Sequence, residues 1–308
     1  NTPSHAYMKC LYKYPQAAYP YSDLVETNRR RSRTESEYEL IDTGIFDDDR
    51  YFDIFVEYAK GTPEDVLVKL TVVNHAPEEA GLHLLPTLWF RNTWSWKGDD
   101  KKPILREASG AGGVKVVEAD HPTLEKRWLY CDAPGKLLFT ENETNFERLF
   151  GIPNPSPYVK DGINDYVVSG NEAAVNPGNA GTKMAAHYVL AVPPGKSITV
   201  RLRLTDEPGM KDPFGAGFED IFQRRMAEAD EFYRRISPDP MPDDLRNVQR
   251  QAFAGMLWTK QFYYYVINDW LKGDPAYPPP PEARRTGRNH KGIPLYNDDV
   301  LSMPATWE

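Results

Sequence analysis

At 308 residues, with 40% hydrophobic and 27% charged positions, the chain has the make-up of a globular protein long enough for two domains, or for one large β domain with an appendage. A net charge of −8 argues against a nucleic-acid partner, because phosphate backbones select clustered lysine and arginine. No apolar run approaches the roughly 18 residues a membrane span needs. Two cysteines, Cys10 and Cys131, make neither a disulfide framework nor a metal-ligand spacing, so a soluble, cytoplasmic protein of a reducing compartment is expected.

The chain opens at Asn1 rather than Met and shows no signal-peptide pattern. Residues 1–34 are rich in tyrosine and proline and read as extended chain wrapped on something else. The basic cluster Arg29-Arg30-Arg31-Ser32-Arg33 is answered at once by Glu35, Glu37 and Glu39, a self-neutralising segment. Asp47-Asp48-Asp49 offers carboxylate oxygens to a hard cation, but no EF-hand spacing accompanies it and a solvated turn entering the next strand is the expectation.

From Tyr51 the apolar residues alternate. Phe52, Ile54, Val56 and Tyr58 face one way, as do Val66, Val68, Leu70 and Val72 after the turn Gly61-Thr62-Pro63-Glu64-Asp65. A third alternating run, Leu82, Leu84, Pro86, Leu88 and Phe90, follows the turn Asn74-His75-Ala76-Pro77, and the three together predict an antiparallel meander with one buried and one wetter face. Pro86 places the third strand at an edge or a bulge. Shorter strands are expected at 114–118, 127–131 and 136–140, a short helix over 146–150 stopped by Gly151, and over 153–179 a loop of a length that is often functional in a compact domain. The clearest hairpin signal joins 184–192 to 197–204 through Pro193-Pro194-Gly195. Short strands at this spacing predict a mainly β protein built on an antiparallel β-sandwich.

At Phe218 the period changes to about 3.6, and Phe218, Ile221, Phe222, Met226, Ala229, Phe232, Tyr233 and Ile236 form one stripe of an amphipathic helix. It ends before the linker-like Ser237-Pro238-Asp239-Pro240, after which Pro242-Asp243-Asp244 starts a second helix running through Met256 towards Tyr265. That helix is hydrophobic nearly all round from Phe253 onward, as expected of a helix buried in a larger helical body. The tail after Pro275 is proline-rich and irregular, and the chain is expected to be a fragment cut at both ends.

Candidate chemistry is sparse. Arg91, Asn92, Trp94 and Trp96 form a polar-aromatic run just past the strand end, where a scaffold presents contact residues. Flat rings beside amide and guanidinium groups suit a sugar, with its apolar C–H faces and ring of hydroxyls, although tryptophans are more often packing residues, here at a domain seam. Trp307 and Glu308 add an aromatic-carboxylate pair. The six histidines have no i,i+4 pairing, Gly110-Ala111-Gly112-Gly113 reads as a loop, and no nucleophile elbow or phosphate-cradling loop is present, so no metal or cofactor is expected. Asn142-Glu143-Thr144 is a glycosylation sequon with meaning only in a secreted protein.

Four long runs carry a resemblance. Residues 37–52 (Glu37-Tyr38-Glu39-Leu40 through Tyr51-Phe52), residues 84–96 (Leu84-Leu85-Pro86-Thr87 through Ser95-Trp96), Ser156-Pro157-Tyr158-Val159-Lys160-Asp161, and residues 250–258 (Arg250-Gln251-Ala252-Phe253 through Trp258) resemble bacterial members of glycoside hydrolase family 63, relatives of the mannosyl-oligosaccharide glucosidases. The resemblance implies a sandwich over residues 1–210 lacking its first strands, a helical linker over 211–240, and over 241–308 the first part of an (α/α)6 barrel. It implies hydrolysis of α-glucosidic bonds in oligosaccharides with inversion, the general-acid and general-base carboxylates lying in the missing remainder of the catalytic domain, its natural partner. No catalytic residue is carried over. Arg91, Asn92, Trp94, Trp96, Trp307 and Glu308 are the expected lining of the sandwich–barrel seam or the sugar cleft. The competing expectation is a non-catalytic sandwich that binds carbohydrate or braces a partner domain.

Overall fold

A computed structural model describes residues 1–97, 101–110, 112–275, 277–288 and 290–302. Two antiparallel sheets make up most of it. The chain begins with β1 (Tyr7–Pro15) and α1 (Tyr21–Arg30), then β2 (Tyr51–Thr62) and β3 (Asp65–Asn74). The opening segment is therefore a strand, not a wrapping: β1 runs along β2 with Tyr7 opposite Ala59 and Pro15 opposite Tyr51. Tyr12 and Tyr14 share one face of it, their rings 6.2 Å apart, and Pro15 stands at its end. Between α1 and β2, the Asp47–Asp49 stretch forms the expected turn.

After Asn74 come β4 (Ala80–Leu84), β5 (Thr87–Trp89), α2 (Trp94–Lys97), β6 (Ile104–Ala108), β7 (Lys115–His121), β8 (Glu125–Cys131) and β9 (Lys136–Thr140). Next are α3 (Phe146–Phe150), α4 (Gly162–Ser169), β10 (Ala180–Gly181), β11 (Lys183–Val192) and β12 (Ser197–Thr205). The larger sheet has the order β1-β2-β3-β12-β8-β7-β6-β10, and the smaller pairs β4, β5 and β9 with β11. Leu84 stands opposite Tyr188 and Leu88 opposite Met184, so β4 and β5 are one rail in a single register, interrupted where Pro86 has no N–H to donate. That rail is an edge, as Pro86 indicated.

Two expectations about pairing fail for one reason. The third strand does not extend a meander from β3, and β11 does not form a hairpin with β12. β12 has β3 on one side and β8 on the other, so both chain reversals cross from one sheet to the other at the sandwich edge. Asn74 ties these crossings: its amide donates to Val192 O (2.9 Å) and Glu78 O (2.8 Å), while Gly195 N donates to Asn74 O (3.0 Å).

A helix packs on part of the outer face of each sheet. Between the sheets, Leu70, Leu105, Val117, Leu129 and Leu202 of the larger meet Leu137, Phe139, Met184 and Tyr188 of the smaller. On the outer face of the larger sheet lies α5 (Ala216–Ile236), whose Phe218 and Phe222 pack with Tyr7, Ala59, Leu67, Val116 and Tyr130. On the outer face of the smaller sheet, Ile163 of α4 packs with Leu138 and Ala185. The stretch 153–179 is thus a covering element, not a bare loop. The wetter face expected from alternation is partly covered, because each helix supplies an apolar stripe for some of it, while β4, β5 and β12 keep exposed positions.

The chain continues into α6 (Asp243–Trp258), β13 (Lys260–Val266), α7 (Ile267–Lys272), α8 (Ala283–Thr286) and β14 (Tyr296–Ser302), with β13 and β14 paired. α6 stops at Trp258 instead of running on towards Tyr265, where Tyr263 and Tyr265, ring-rich and strand-favouring, take the extended form. None of the α6 residues is buried; Leu245, Val248, Phe253, Met256 and Trp258 are all exposed. Among the described residues, no helix is long and apolar enough to cross a membrane.

Candidate functional site

The run singled out in the sequence is anchored by the end of β5. Phe90 N donates to Thr182 O (3.0 Å), and the Asn142 side-chain amide donates to Phe90 O (2.9 Å). Thr182, 1% exposed, receives the Asn142 N–H at 2.7 Å and donates its hydroxyl to Glu141 at 2.7 Å. These bonds set the 90–97 loop against residues 141–144, and they engage the side chain of the sequon asparagine within the fold.

Three predicted site residues come together on that loop. Arg91 is exposed. Asn92 accepts the Ser95 N–H at 3.3 Å, a turn-forming role that starts α2. Trp94 donates its indole N–H to Glu143 at 3.0 Å. Trp96 follows on α2 but its side chain lies outside what is described, and Trp307 and Glu308 lie outside the described residues.

Beneath the loop lies a network the sequence reading missed. The Lys102 ammonium sits 2.9 Å from Glu141 and 2.9 Å from Glu143, with the Trp94 ring centroid 5.7 Å away. Burial alone would lower the Lys102 pKa, but hydrogen bonds to Glu143 and Glu141 outweigh it and hold the ammonium above its ordinary value. The two carboxylates cannot serve as an inverting acid–base pair in this arrangement. Such a pair stands about 6.5–9.5 Å apart with room for a water, and here a cation occupies the space between. Their signal was present as Glu141-Asn142-Glu143, an acid pair at the end of a strand, where alternation turns both towards one side.

The same corner receives the C-terminal region. Tyr277 packs edge-on against Phe146 (5.2 Å between centroids) and Phe150 (5.9 Å), and its hydroxyl bonds Thr144 Oγ1. Lys160 donates to the same Thr144 oxygen at 3.3 Å. Beside it, Trp89 is 58% exposed, with the Lys183 ammonium 5.9 Å from its ring centroid. The corner therefore offers a platform of exposed aromatic and cationic groups, Trp89 and Arg91, over a locked ionic base. Among the described residues there is no cluster of three or more His, Cys, Asp or Glu placed to hold a metal ion.

No known protein-family profile matches the chain. A Saccharomyces cerevisiae protein described as uncharacterized, YMR196W, is 39% identical over a 353-residue alignment that covers 100% of this chain and 32% of its own length. The chain thus spans about a third of the length of that curated relative. Among solved structures, a putative kojibiose phosphorylase from the human microbiome matches 70% of this chain and 23% of its own, at 11% identity and a TM-score of 0.26. A likeness that weak carries no argument about fold or activity.

Proposed function

We propose that this chain is the front part of a carbohydrate-active enzyme that cleaves α-glucosidic linkages in oligosaccharides with inversion, of the family 63 type, with the acid and base carboxylates outside these residues. The observation that carries the reading is the junction after the sandwich. A capped two-sheet body is followed by α5, then by α6, which buries no residue and leaves Leu245, Val248, Phe253, Met256 and Trp258 exposed. An amphipathic helix gains most of its stability by burying its apolar face, so α6 is suited to a helical body that completes it. The order sandwich, linker helix, exposed helix is the order that the four resembling runs imply, and the domain limits 1–210, 211–240 and 241–308 follow from it. On this reading the oligosaccharide approaches the corner of Trp89, Arg91 and Trp94.

A second reading has one specific observation in its favour. Trp94 and Asn92 are both committed to bonds within the fold, which suits a sandwich that braces a neighbouring domain and makes no direct sugar contact. One assay tests the first reading. The complete gene product is expected to release glucose from α-linked oligosaccharides, the β-anomer appearing first by proton NMR. No release from any such substrate, or the α-anomer first, rejects the proposed chemistry.

A further inference from the structure

A cleft of about 560 Å³ opens on the outer side of the smaller sheet, between β4, the end of β1 and α4. Its volume lies in the range of small-molecule sites, roughly 300–1,000 Å³. Its lining is unusual for a protein of net charge −8: Lys160, Lys183 and His83 contribute to it, and no Asp or Glu does. The two lysines are tethered, not splayed into solvent. Lys183 donates to Lys160 O at 2.8 Å, and Lys160 to Thr144 Oγ1 at 3.3 Å. Each ammonium has three donors, so each keeps capacity after those bonds. Among the described residues neither forms an ion pair with a carboxylate, whereas Lys13, Lys69, Lys115 and Lys126 of the larger sheet do.

The neutral groups complete a binding surface. Asn164 and Tyr14 add polar side chains at the rim, and Ile163 and Val167 of α4 give an apolar wall. Two cations without acids match a dianion, and a wall beside polar rim groups matches a compact body attached to it.

We propose that this cleft binds a phosphate monoester on a small polyhydroxylated body, its dianionic head held between Lys160 and Lys183. Burial, with the neighbouring Lys160 charge, holds the Lys183 pKa below its ordinary value against the opposing pull of Asp161, and an anion between the two lysines would offset both. The cleft adjoins the Trp89 corner through Lys183 and Lys160, but its test reads phosphate binding alone and no glycosidic chemistry, so either idea can fail without the other.

The experiment is isothermal titration of the intact protein at low salt with four probes: a hexose 6-phosphate, inorganic phosphate, a hexuronate and the neutral hexose. The hexose phosphate is expected to bind tightest, inorganic phosphate next, the hexuronate more weakly and the neutral hexose not at all, with affinity falling as salt rises. Lys183→Met and Lys160→Gln are each expected to weaken the hexose phosphate about tenfold or more, the size of a lost hydrogen bond to a charged group. Lys160 is exposed, so the second variant is expected to keep the wild-type urea midpoint, separating lost binding from lost folding. Absence of hexose phosphate binding at millimolar concentration, binding no tighter than the neutral hexose, or unchanged affinity in a folded Lys160→Gln variant would overturn the proposal.

Discussion

Asp53 joins groups from the two strands that flank β2: its carboxylate accepts from Lys13 of β1 at 2.7 Å and from His75, just past β3, at 2.8 Å, and the His75 ring stacks on Tyr51 at 4.7 Å. Burial would raise its pKa, but the two hydrogen bonds and their charges outweigh burial and hold it below the usual carboxylate value. A carboxyl depressed in the folded state contributes stability above its unfolded pKa, about 3.9, and loses it as pH falls through the lower folded value. Urea unfolding of Asp53→Asn is therefore expected to show a loss at pH 7 that shrinks below about pH 4. A pH-independent difference would contradict the role given to the ion pair. Trp94 allows a second test at this scale. Phe in its place keeps most of the ring and removes only the donor to Glu143, which retains Lys102, so Trp94→Phe is expected to destabilise by about 1 kcal/mol. A loss several times larger would mean that the ring, rather than its N–H, holds the loop.

At the scale of elements, α5 is the piece whose packing was plainest in the residues. Its apolar stripe repeats at the helical period, and Phe218, Phe222, Ala229 and Tyr233 are the residues it buries. Phe222 is 0% exposed against the larger sheet, so Phe222→Ala is expected to cost about 3–5 kcal/mol in chemical denaturation. Strands β2, β3 and β7 to β9 were equally legible, because alternation survives burial of both faces when each face has its own partner. Partnering was not legible. Pro193-Pro194-Gly195 reads as a hairpin turn whether the strands it joins share a sheet or face each other across a core, since turn chemistry is local and sheet membership is not. Asn74 carried the missing information as a turn residue, yet only its contacts with Gln16, Ala76, Glu78 and Val192 reveal a buried clasp between sheets. In the same way Arg91, Asn92 and Trp94 were found by composition, while Lys102, Glu141 and Glu143 became a site only when strands distant in sequence brought them together.

For the whole molecule, the larger pattern is a closed body with an open end. Three apolar contacts, α5 on the larger sheet, the larger sheet on the smaller, and the smaller sheet on α4, build the sandwich, while Val189 and Trp89 of the smaller sheet stay exposed. Beyond them α6 stands over a groove of about 900 Å³ beside β1 and α5, tied by the ion pair of Arg250 with Asp230 and by Arg250 over the Tyr233 ring, while Phe253, Met256 and Trp258 stay exposed. Polar ties orient a helix without burying it, and the relative's greater length is compatible with further chain to do so. The central claim, that α6 belongs inside a helical body completing this sandwich, is tested most directly by hydrogen exchange of the α6 amides in the complete gene product and in residues 1–308 alone. Exchange is expected to slow by roughly tenfold or more in the complete product, as for a helix moved from an open surface into a core. Equal α6 exchange in the two would contradict it.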